Sequence, residues 1–267
     1  MKNIYKYKDA TWIDLVKPTA EEVDEVARDY NLSGTVAAGL LSPTSRHIVE
    51  FGPRHAYLVL HFPAFKDDNG GDAAFELDFV IGDNYLITAR YAKIEAFDKH
   101  ITSLDENGLS KQPEHARNVL FFGLLRELVA NFEHKLSKID HWTRDIEKNM
   151  FDGKESRTIF ELSEASRHLI DFRKITAVYP DALEALEMEG QKEFGKEFSD
   201  FSEEISTSFH KARLKMDMLA DAVRELRETN DSILSVKQNN STQLVAVITL
   251  LTDVVVGAVL IYLAVHH

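Results

Sequence analysis

"LSVKQNNSTQLVAVITLLTDVVVGAVLIYLAVHH", residues Leu234 to His267, is the stretch that decides the fold class of this chain. A polar segment rich in Asn and Ser runs into about 22 mostly apolar residues, which as a helix would span about 33 Å and cross a bilayer core. The alternative is a core helix of a soluble protein, but the segment shows no amphipathic stripe. The sequence therefore predicts a transmembrane helix over 244–265.

One carboxylate, Asp253, lies in the middle of this apolar segment, and Thr249 and Thr252 are close to it. A charged side chain at the centre of a bilayer costs at least about 2.5–3.5 kcal/mol on insertion scales. Asp253 is therefore expected to face protein or water rather than lipid. Because one helix cannot shield it, we expect the chain to form an oligomer.

The residues before the apolar segment repeat with alternating steps of four and three, which is typical of a coiled-coil seam. No Pro or Gly interrupts 196–256, so a single helix of roughly 70 residues, about 100 Å long, is predicted. An ordinary antiparallel bundle would give the same repeat, but here the seam turns polar just before the membrane. That change favours a hydrated axis lined by several copies. The seam positions are Ile205, Phe209, Ala212, Met216, Leu219, Val223, Leu226, Asn230, Ile233, Lys237, Asn240 and Leu244.

The first 110 or so residues have the pattern of a mixed α/β domain. "TWIDL" from Thr11 is a short β-prone run, and Thr19 with Glu22 fits a capping box at the start of a helix. Further on, "HIVEF", "AYLVLHF", "AFELDFVIG" and "DNYLITARY" are β-rich, and the strict alternation in the third predicts a half-buried antiparallel sheet. The loop "KDDNGGD" is interpreted as a hairpin turn.

Helical periodicity takes over from Arg117. A first long helix ends at the break "FDGKESR", and a second is predicted from about Ser156 to Val178, ending near Pro180. The acidic runs that follow are interpreted as solvated faces that could also raise the local cation concentration. The predicted domains are an α/β domain over 1–112, a long-helix bundle and stalk over 113–243, and the transmembrane helix over 244–265.

Composition excludes several classes of function. The net charge is −13 and the sequence contains no Lys/Arg-rich run, so nucleic acid is not an expected partner, and the acidic balance is compatible with a cation as partner. There are no cysteines and hence no thiolate metal site. The N-terminal residues have no apolar signal region, so the bulk of the chain is expected in the cytoplasm. Without a phosphate loop, a His-x-x-x-His pair or a nucleophile elbow, the sequence does not favour an enzyme.

Taken in order along the chain, several motifs resemble the CorA family of divalent-cation channels: "WIDL", "HIVEF…AYLVLHF…LDFVIGDNYLITAR", "IEKNMF" and "NDSILSVKQNNSTQLVAVIT". The resemblance implies an α+β/α architecture, with a cytoplasmic α/β/α domain on a mixed sheet and a long helical stalk that continues into a transmembrane helix. It also implies a homopentamer in the inner or plasma membrane that passes Mg²⁺ passively, and possibly Co²⁺, Ni²⁺ or Zn²⁺.

The resemblance also implies roles for particular residues. Asp231 would form an acidic ring at the membrane entrance, and an apolar constriction would fall at Ile248 and Val256. Asp217 would correspond to the stalk Asp that binds a regulatory cation together with an acidic pair on the neighbouring subunit. The polar entrance and pore lining would include Asn239, Asn240, Thr242 and Thr249. Asn and Thr oxygens suit an ion that keeps its waters, as Mg²⁺ does, although a solvated helix end has a similar composition.

The sequence departs from the family pattern at three places. Ala38 and Gly39 stand where the acidic pair would be, so only weak regulation by Mg²⁺ is expected. Gly257 replaces a Pro, and the Gly-Met-Asn motif would fall at His266-His267. No second apolar run follows, so the chain is either truncated or naturally short, and uptake by this chain alone is not expected. The alternatives are a non-conducting membrane-anchored scaffold or cation sensor, or a monomeric coiled-coil protein with a tail anchor.

Overall fold

The computed structural model describes residues 1–65, 73–106 and 115–265. The predicted hairpin turn at Lys66–Asp72 and the pair His266-His267 lie outside these ranges. The strands are β1 (Lys2–Tyr7), β2 (Ala10–Val16), β3 (Ile48–Phe51), β4 (Ala56–Pro63), β5 (Ala74–Ile81) and β6 (Tyr85–Arg90). The helices are α1 (Ala20–Asp29), α2 (Gly34–Leu41), α3 (Glu95–Glu106), α4 (Ala116–Phe151), α5 (Glu155–Thr176), α6 (Tyr179–Phe194) and α7 (Lys196–Val265).

The six strands form one mixed sheet in the order β1-β2-β6-β5-β4-β3. Strand β2 pairs parallel with β6, and every other neighbouring pair is antiparallel. The predicted antiparallel arrangement of the strands in the middle of the sequence is confirmed, and so is the mixed sheet. The predicted capping box at Thr19 is also confirmed, with the Thr19 and Glu22 side chains each bonded to the other residue's backbone.

Both faces of the sheet are covered, so the prediction of a half-buried sheet was wrong. On one face, α1 and α2 contribute Val23, Val26, Val36 and Leu40 to a core with Val59, Val80 and Ile87. On the other face, Trp12 packs 5.7 Å from Phe97 of α3, and Phe79 packs 5.3 Å from Phe121 of α4, measured between ring centroids. The alternating pattern correctly predicted a strand. It did not show that a second layer of helices covers the other face of the sheet.

The predicted long helices are confirmed as α4, α5 and the 70-residue α7. Two further helices and one strand were missed. Pro180 was interpreted as a helix end, but it lies in the first turn of α6, where its missing N–H and fixed φ fit a helix start. The short apolar run of α2 and the polar strand β1 lack the periodicity that would have marked them.

The chain divides into two compact units. The first contains Met1–Asp140 and Arg167–Leu219, and the second contains His141–Ser166 and Ala220–His267. The first unit holds the sheet. In the second, the end of α4, the start of α5 and the later part of α7 enclose a small core that includes Ile146, Met150, Leu162 and Val223. The sequence-based boundaries at 112 and 243 stay predictions.

Candidate functional site

The predicted pore-lining residues all lie on α7 within the second unit. Each of them is exposed in the single chain: Asp231, Asn239, Asn240, Thr242, Ile248, Thr249 and Val256. The apolar residues from Leu244 to Val256 are exposed as well. Within the described residues, α7 is the one helix whose length and composition would allow it to cross a membrane, with an 18-residue window of mean hydropathy 1.4 that is 0% buried.

Helical geometry puts several of these side chains on one face. With about 100° per residue, one face of α7 within about 60° carries Asp231, Thr242, Thr249, Asp253 and Val256. We call this set the exposed stripe. Asn239 lies about 80° from Asp231, at the margin of the stripe. Asn240 and Ile248 lie on other faces, about 180° and 100° from Asp231, and their roles in a pore stay predictions.

The hydroxyl groups of the stripe have a defined orientation. Thr242 donates to the backbone oxygen of Gln238, and Thr249 donates to that of Val245, each at 2.9 Å. Since each hydroxyl has one proton, its use inside the helix leaves the oxygen lone pairs for partners outside the helix. The stripe therefore presents acceptors, which are the groups that the water molecules around a hydrated cation can bind by donating hydrogen bonds.

Asn230 and Lys237 do not belong to this exposed face. Asn230 is 1% exposed and donates through Nδ2 to the backbone oxygen of Glu155 at 3.2 Å. Lys237 Nζ lies 2.6 Å from Glu155 Oε1, and this hydrogen bond holds the pKa of Glu155 below its ordinary value. The seam turns polar because it meets the polar first turn of α5. The prediction that Asn230 lines a hydrated axis was therefore wrong, whereas the same prediction for the half-exposed Lys237 stays a prediction.

The predicted regulatory ligand Asp217 lies in the first unit and is already paired. Its Oδ1 accepts from Arg173 Nη2 of α5 at 2.7 Å, and both side chains are about half exposed. Among the residues that the structure describes, no group of three or more His, Asp or Glu side chains is arranged to hold a metal ion. The role of Asp217 as a metal ligand stays a prediction, and Arg173 is a competitor that the sequence did not reveal.

The structure gives a reason for the glycine at position 39. A Cβ at Gly39 would overlap the hydroxyl of Tyr57, which donates at 3.3 Å to Asp78 Oδ2. The exposed Ala38 has no such restriction. A carboxylate at residue 39 is therefore incompatible with the packing of Tyr57, and the correspondence of positions 38 and 39 with an acidic pair stays a prediction.

Sequence reasoning missed a buried polar cluster on β4 and β5. Glu76 and Asp78 point to the same face of β5 and are 8% and 0% exposed, and His61 on the neighbouring strand contacts Glu76 at 3.1 Å. The available signal was two acidic residues at the polar positions of an alternating strand. The strand was interpreted as half-buried, because nothing in the sequence indicated that α2 covers the face that carries these two residues.

Comparisons with known proteins agree on one family and fold. The profile of the family described as CorA-like Mg²⁺ transporter protein matches residues 7–254. The fold is similar to that of the CorA magnesium transporter from Methanocaldococcus jannaschii, with a TM-score of 0.77, 16% identity, and coverage of 92% of this chain and 76% of that chain. Among curated proteins, nothing matches the chain.

Two other solved structures share the fold. The full-length CmaX protein gives a TM-score of 0.76 at 15% identity, with 90% of this chain and 73% of that chain covered. The cytoplasmic domain of ZntB from Vibrio parahaemolyticus gives a TM-score of 0.70 at 13% identity, with 86% and 89% covered. The expected architecture, a sheet domain followed by a long helix that is a candidate membrane span, is confirmed.

Proposed function

Because the chain belongs to the CorA-like Mg²⁺ transporter family, we propose that it is a subunit of a homopentameric membrane channel that passes hydrated Mg²⁺ passively. The bulk of each subunit lies in the cytoplasm, and α7 crosses the inner or plasma membrane. Co²⁺, Ni²⁺ and Zn²⁺ are further candidate substrates, since octahedral or hydrated divalent ions bind the same oxygen acceptors.

The observation that carries this proposal is the exposed stripe on α7. Asp231 supplies a carboxylate before the apolar segment, and Thr242 and Thr249 supply hydroxyl oxygens whose protons are used within the helix. Five copies around an axis would form rings of acceptors. Mg²⁺ dehydrates reluctantly, so a path that binds its water shell rather than the bare ion suits it.

The same stripe explains how Asp253 is tolerated in the membrane. It lies on the face of α7 that carries Thr249, about 40° from it. Around a water-filled axis this carboxylate avoids the cost of contact with lipid. The membrane potential supplies about 2.3 kcal/mol per charge per 100 mV, roughly double that for a divalent ion, so entry needs no reaction to drive it.

The test is Mg²⁺ uptake into proteoliposomes that contain the full-length protein and carry an inside-negative potential. Thr242→Val removes one acceptor with little change in shape and should lower the initial rate roughly three- to tenfold, since a hydrogen bond contributes about 0.5–1.5 kcal/mol. Ser241→Ala is the matched control, because Ser241 points about 100° away from Thr242. Its rate should equal that of the wild type.

Two results would count against the proposal. Equal rates for the two variants would mean that the stripe does not line the path. Absence of saturable uptake by a protein that forms an intact oligomer would favour the alternative, a non-conducting scaffold or cation sensor of the same family.

A further inference from the structure

Two carboxyl groups are buried side by side on one face of the sheet. Glu76 and Asp78 are two residues apart on β5, so their side chains share a face. Asp78 is 0% exposed between Val59 of β4 and Ala89 of β6, and Glu76 is 8% exposed next to His61. Helix α2, which shares this face with α1, contains no titratable residue.

Protein donors account for only one oxygen of each carboxyl group. Glu76 Oε2 accepts from the backbone N–H of Thr44 at 2.7 Å and lies 3.1 Å from Nε2 of His61. Asp78 Oδ2 accepts from the Tyr57 hydroxyl at 3.3 Å. Within the described part of the chain, Glu76 Oε1 and Asp78 Oδ1 are buried and receive no donor. Residues two apart on a strand are separated by about 6.6 Å, so the two carboxyl groups are direct neighbours on this buried face.

A hydrogen bond between two carboxyl groups requires a proton on one of them, because an ionised carboxylate only accepts. Two buried carboxylates with both charges present would also repel each other and lack solvation. We propose that Glu76 and Asp78 form a proton-binding site, in which a single proton is shared between Glu76 Oε1 and Asp78 Oδ1. The proton satisfies both orphan oxygens and removes one of the two buried charges.

The environment of the pair supports retention of this proton at neutral pH. Burial, followed by the charge of Glu76, raises the pKa of Asp78 to about 8. Burial also raises the pKa of Glu76, opposed by the hydrogen bond from Thr44 and by His61. The phenols of Tyr57 and Tyr91 have raised pKa values, chiefly from burial, and stay neutral.

The basic side chains near the pair lie on the side of Glu76 rather than Asp78. His61 is the nearest basic side chain, and the pKa of His47, which lies behind it, is lowered first by burial and then by His61. A cleft of about 840 Å³ reaches His61 and Glu76, and Lys93, Asp171 and Lys174 also line it. This cleft gives the proton a route to solvent.

The shared proton stabilises the contacts of α2 and the following loop with the sheet. The backbone N–H of Thr44 donates to Glu76 Oε2, and the backbone carbonyl oxygen of Thr44 lies 2.8 Å from His61 Nε2. Tyr91 donates to the carbonyl of Gly39 at 3.2 Å near the end of α2. Loss of the proton would leave two adjacent buried charges and weaken these attachments, so the segment 39–44 should respond to pH around the pKa of the pair.

The direct test is infrared difference spectroscopy of the full chain in detergent, titrated from about pH 6 to about pH 10, well above ordinary carboxyl pKa values. The wild type should lose the absorption of one protonated carboxyl group per chain, with a midpoint near 8. Asp78→Asn and Glu76→Gln should abolish this transition, because an amide can donate to the remaining carboxylate without a proton. Glu193→Gln, at an exposed position, is the control and should leave it unchanged.

The wild-type titration alone can overturn the proposal, so it does not depend on the folding of the variants. A spectrum without a protonated carboxyl group at about pH 6 would show that both groups are ionised, contrary to the proposal. A transition that persists in both Asp78→Asn and Glu76→Gln, each with wild-type circular dichroism, would assign the proton to a different group and also refute it.

Discussion

The hydroxyl oxygen of Thr158 lies 2.9 Å from the amide oxygen of Asn230, in a buried contact that joins α5 to α7. The same hydroxyl lies 2.9 Å from the backbone oxygen of Glu155, so its single proton is available to either acceptor. Asn230 in turn donates to that backbone oxygen at 3.2 Å. These three residues form a closed polar cluster in the small core of the second unit.

Asn230→Ala should destabilise this core. The change removes the donor to Glu155 and an acceptor of Thr158 in a place that water does not reach, and a buried polar group left unsatisfied costs about 1–3 kcal/mol. Denaturant unfolding of the full protein in detergent measures the loss, and hydrogen exchange in the first turn of α5 localises it. Glu225→Ala, on an exposed part of α7, is the control and should change stability by less than about 0.5 kcal/mol. Equal effects of the two variants would contradict the prediction.

Breaking a buried ion pair in the sheet should lower the stability of the protein more than breaking an exposed one. Asp14 is 0% exposed and accepts from Arg90 Nη2 at 2.9 Å and from Thr88 Oγ1 at 3.0 Å. Asp14→Ala leaves the Arg90 charge buried without its partner and should cost about 3–5 kcal/mol. The double variant Asp14→Leu with Arg90→Met should recover most of the lost stability, since it leaves no unpaired charge buried.

The control for this pair is Arg126 with Glu204, which has equally short contacts of 2.8 Å but about half-exposed side chains. Glu204→Ala should cost no more than about 1 kcal/mol. Thermal unfolding of all variants in one detergent gives the comparison. If the exposed pair proved as costly to break as the buried one, burial would not be the deciding factor.

The fold could be predicted from the sequence where a local signal marked a helix start or where a periodic pattern extended over many residues. Thr19 with Glu22 marked a helix start, and the uninterrupted repeat after Lys196 marked α7. The elements that were missed are short, as α2 is, or have in their first turn a residue that usually marks a helix end, as α6 does with Pro180. For such segments tertiary packing decides, and local propensity is a weak guide.

The candidate site was predictable only in part, for a related reason. The repeat predicted which residues lie on α7. It did not predict which of them face α5. The burial of Asn230 depends on Thr158, about seventy residues earlier in the sequence. Asp217 likewise contacts Arg173, and Glu76 contacts His61, and in both pairs the two residues are far apart in sequence. A single sequence carries no direct signal for such pairs.

The buried His100 should make the first unit sensitive to acid. It is 3% exposed, and burial lowers its pKa from 6.5 to about 4. The unfolded chain therefore binds one more proton than the native state between these values, so stability falls as the pH drops through this window, by up to about 3 kcal/mol. Thermal unfolding between about pH 7 and about pH 4 should be less pH-dependent in His100→Gln than in the wild type. An identical pH dependence would show that His100 is not the group responsible.

The protein should contain five chains per particle in detergent. Between Leu244 and Val256, α7 has no buried residue within one chain, and Asp253 and Thr249 lie on its exposed face. An assembly around an axis shelters both from lipid. Light scattering with correction for bound detergent measures the number of chains, and a monomer or dimer would remove the channel model.

Regulation by Mg²⁺ through Asp217 should be weak. An Mg²⁺ site needs several oxygen ligands in octahedral geometry, and one carboxylate supplies too few. Position 39 cannot provide a second, because a side chain there would overlap the hydroxyl of Tyr57. Arg173 also competes, since its Nη2 lies 2.7 Å from Asp217 Oδ1 and a cation would have to displace it.

Limited proteolysis of α7 across the low-millimolar Mg²⁺ range measures this regulation. The wild type should show little protection, and Asp217→Asn should behave like it. Arg173→Met separates the two causes, because it removes the competitor but adds no oxygen ligand, so it should increase protection only slightly. If the wild type were strongly protected and Asp217→Ala abolished the effect, other oxygen ligands would have to complete the site. The packing of Tyr57 against Gly39 would then not be what limits the response to Mg²⁺.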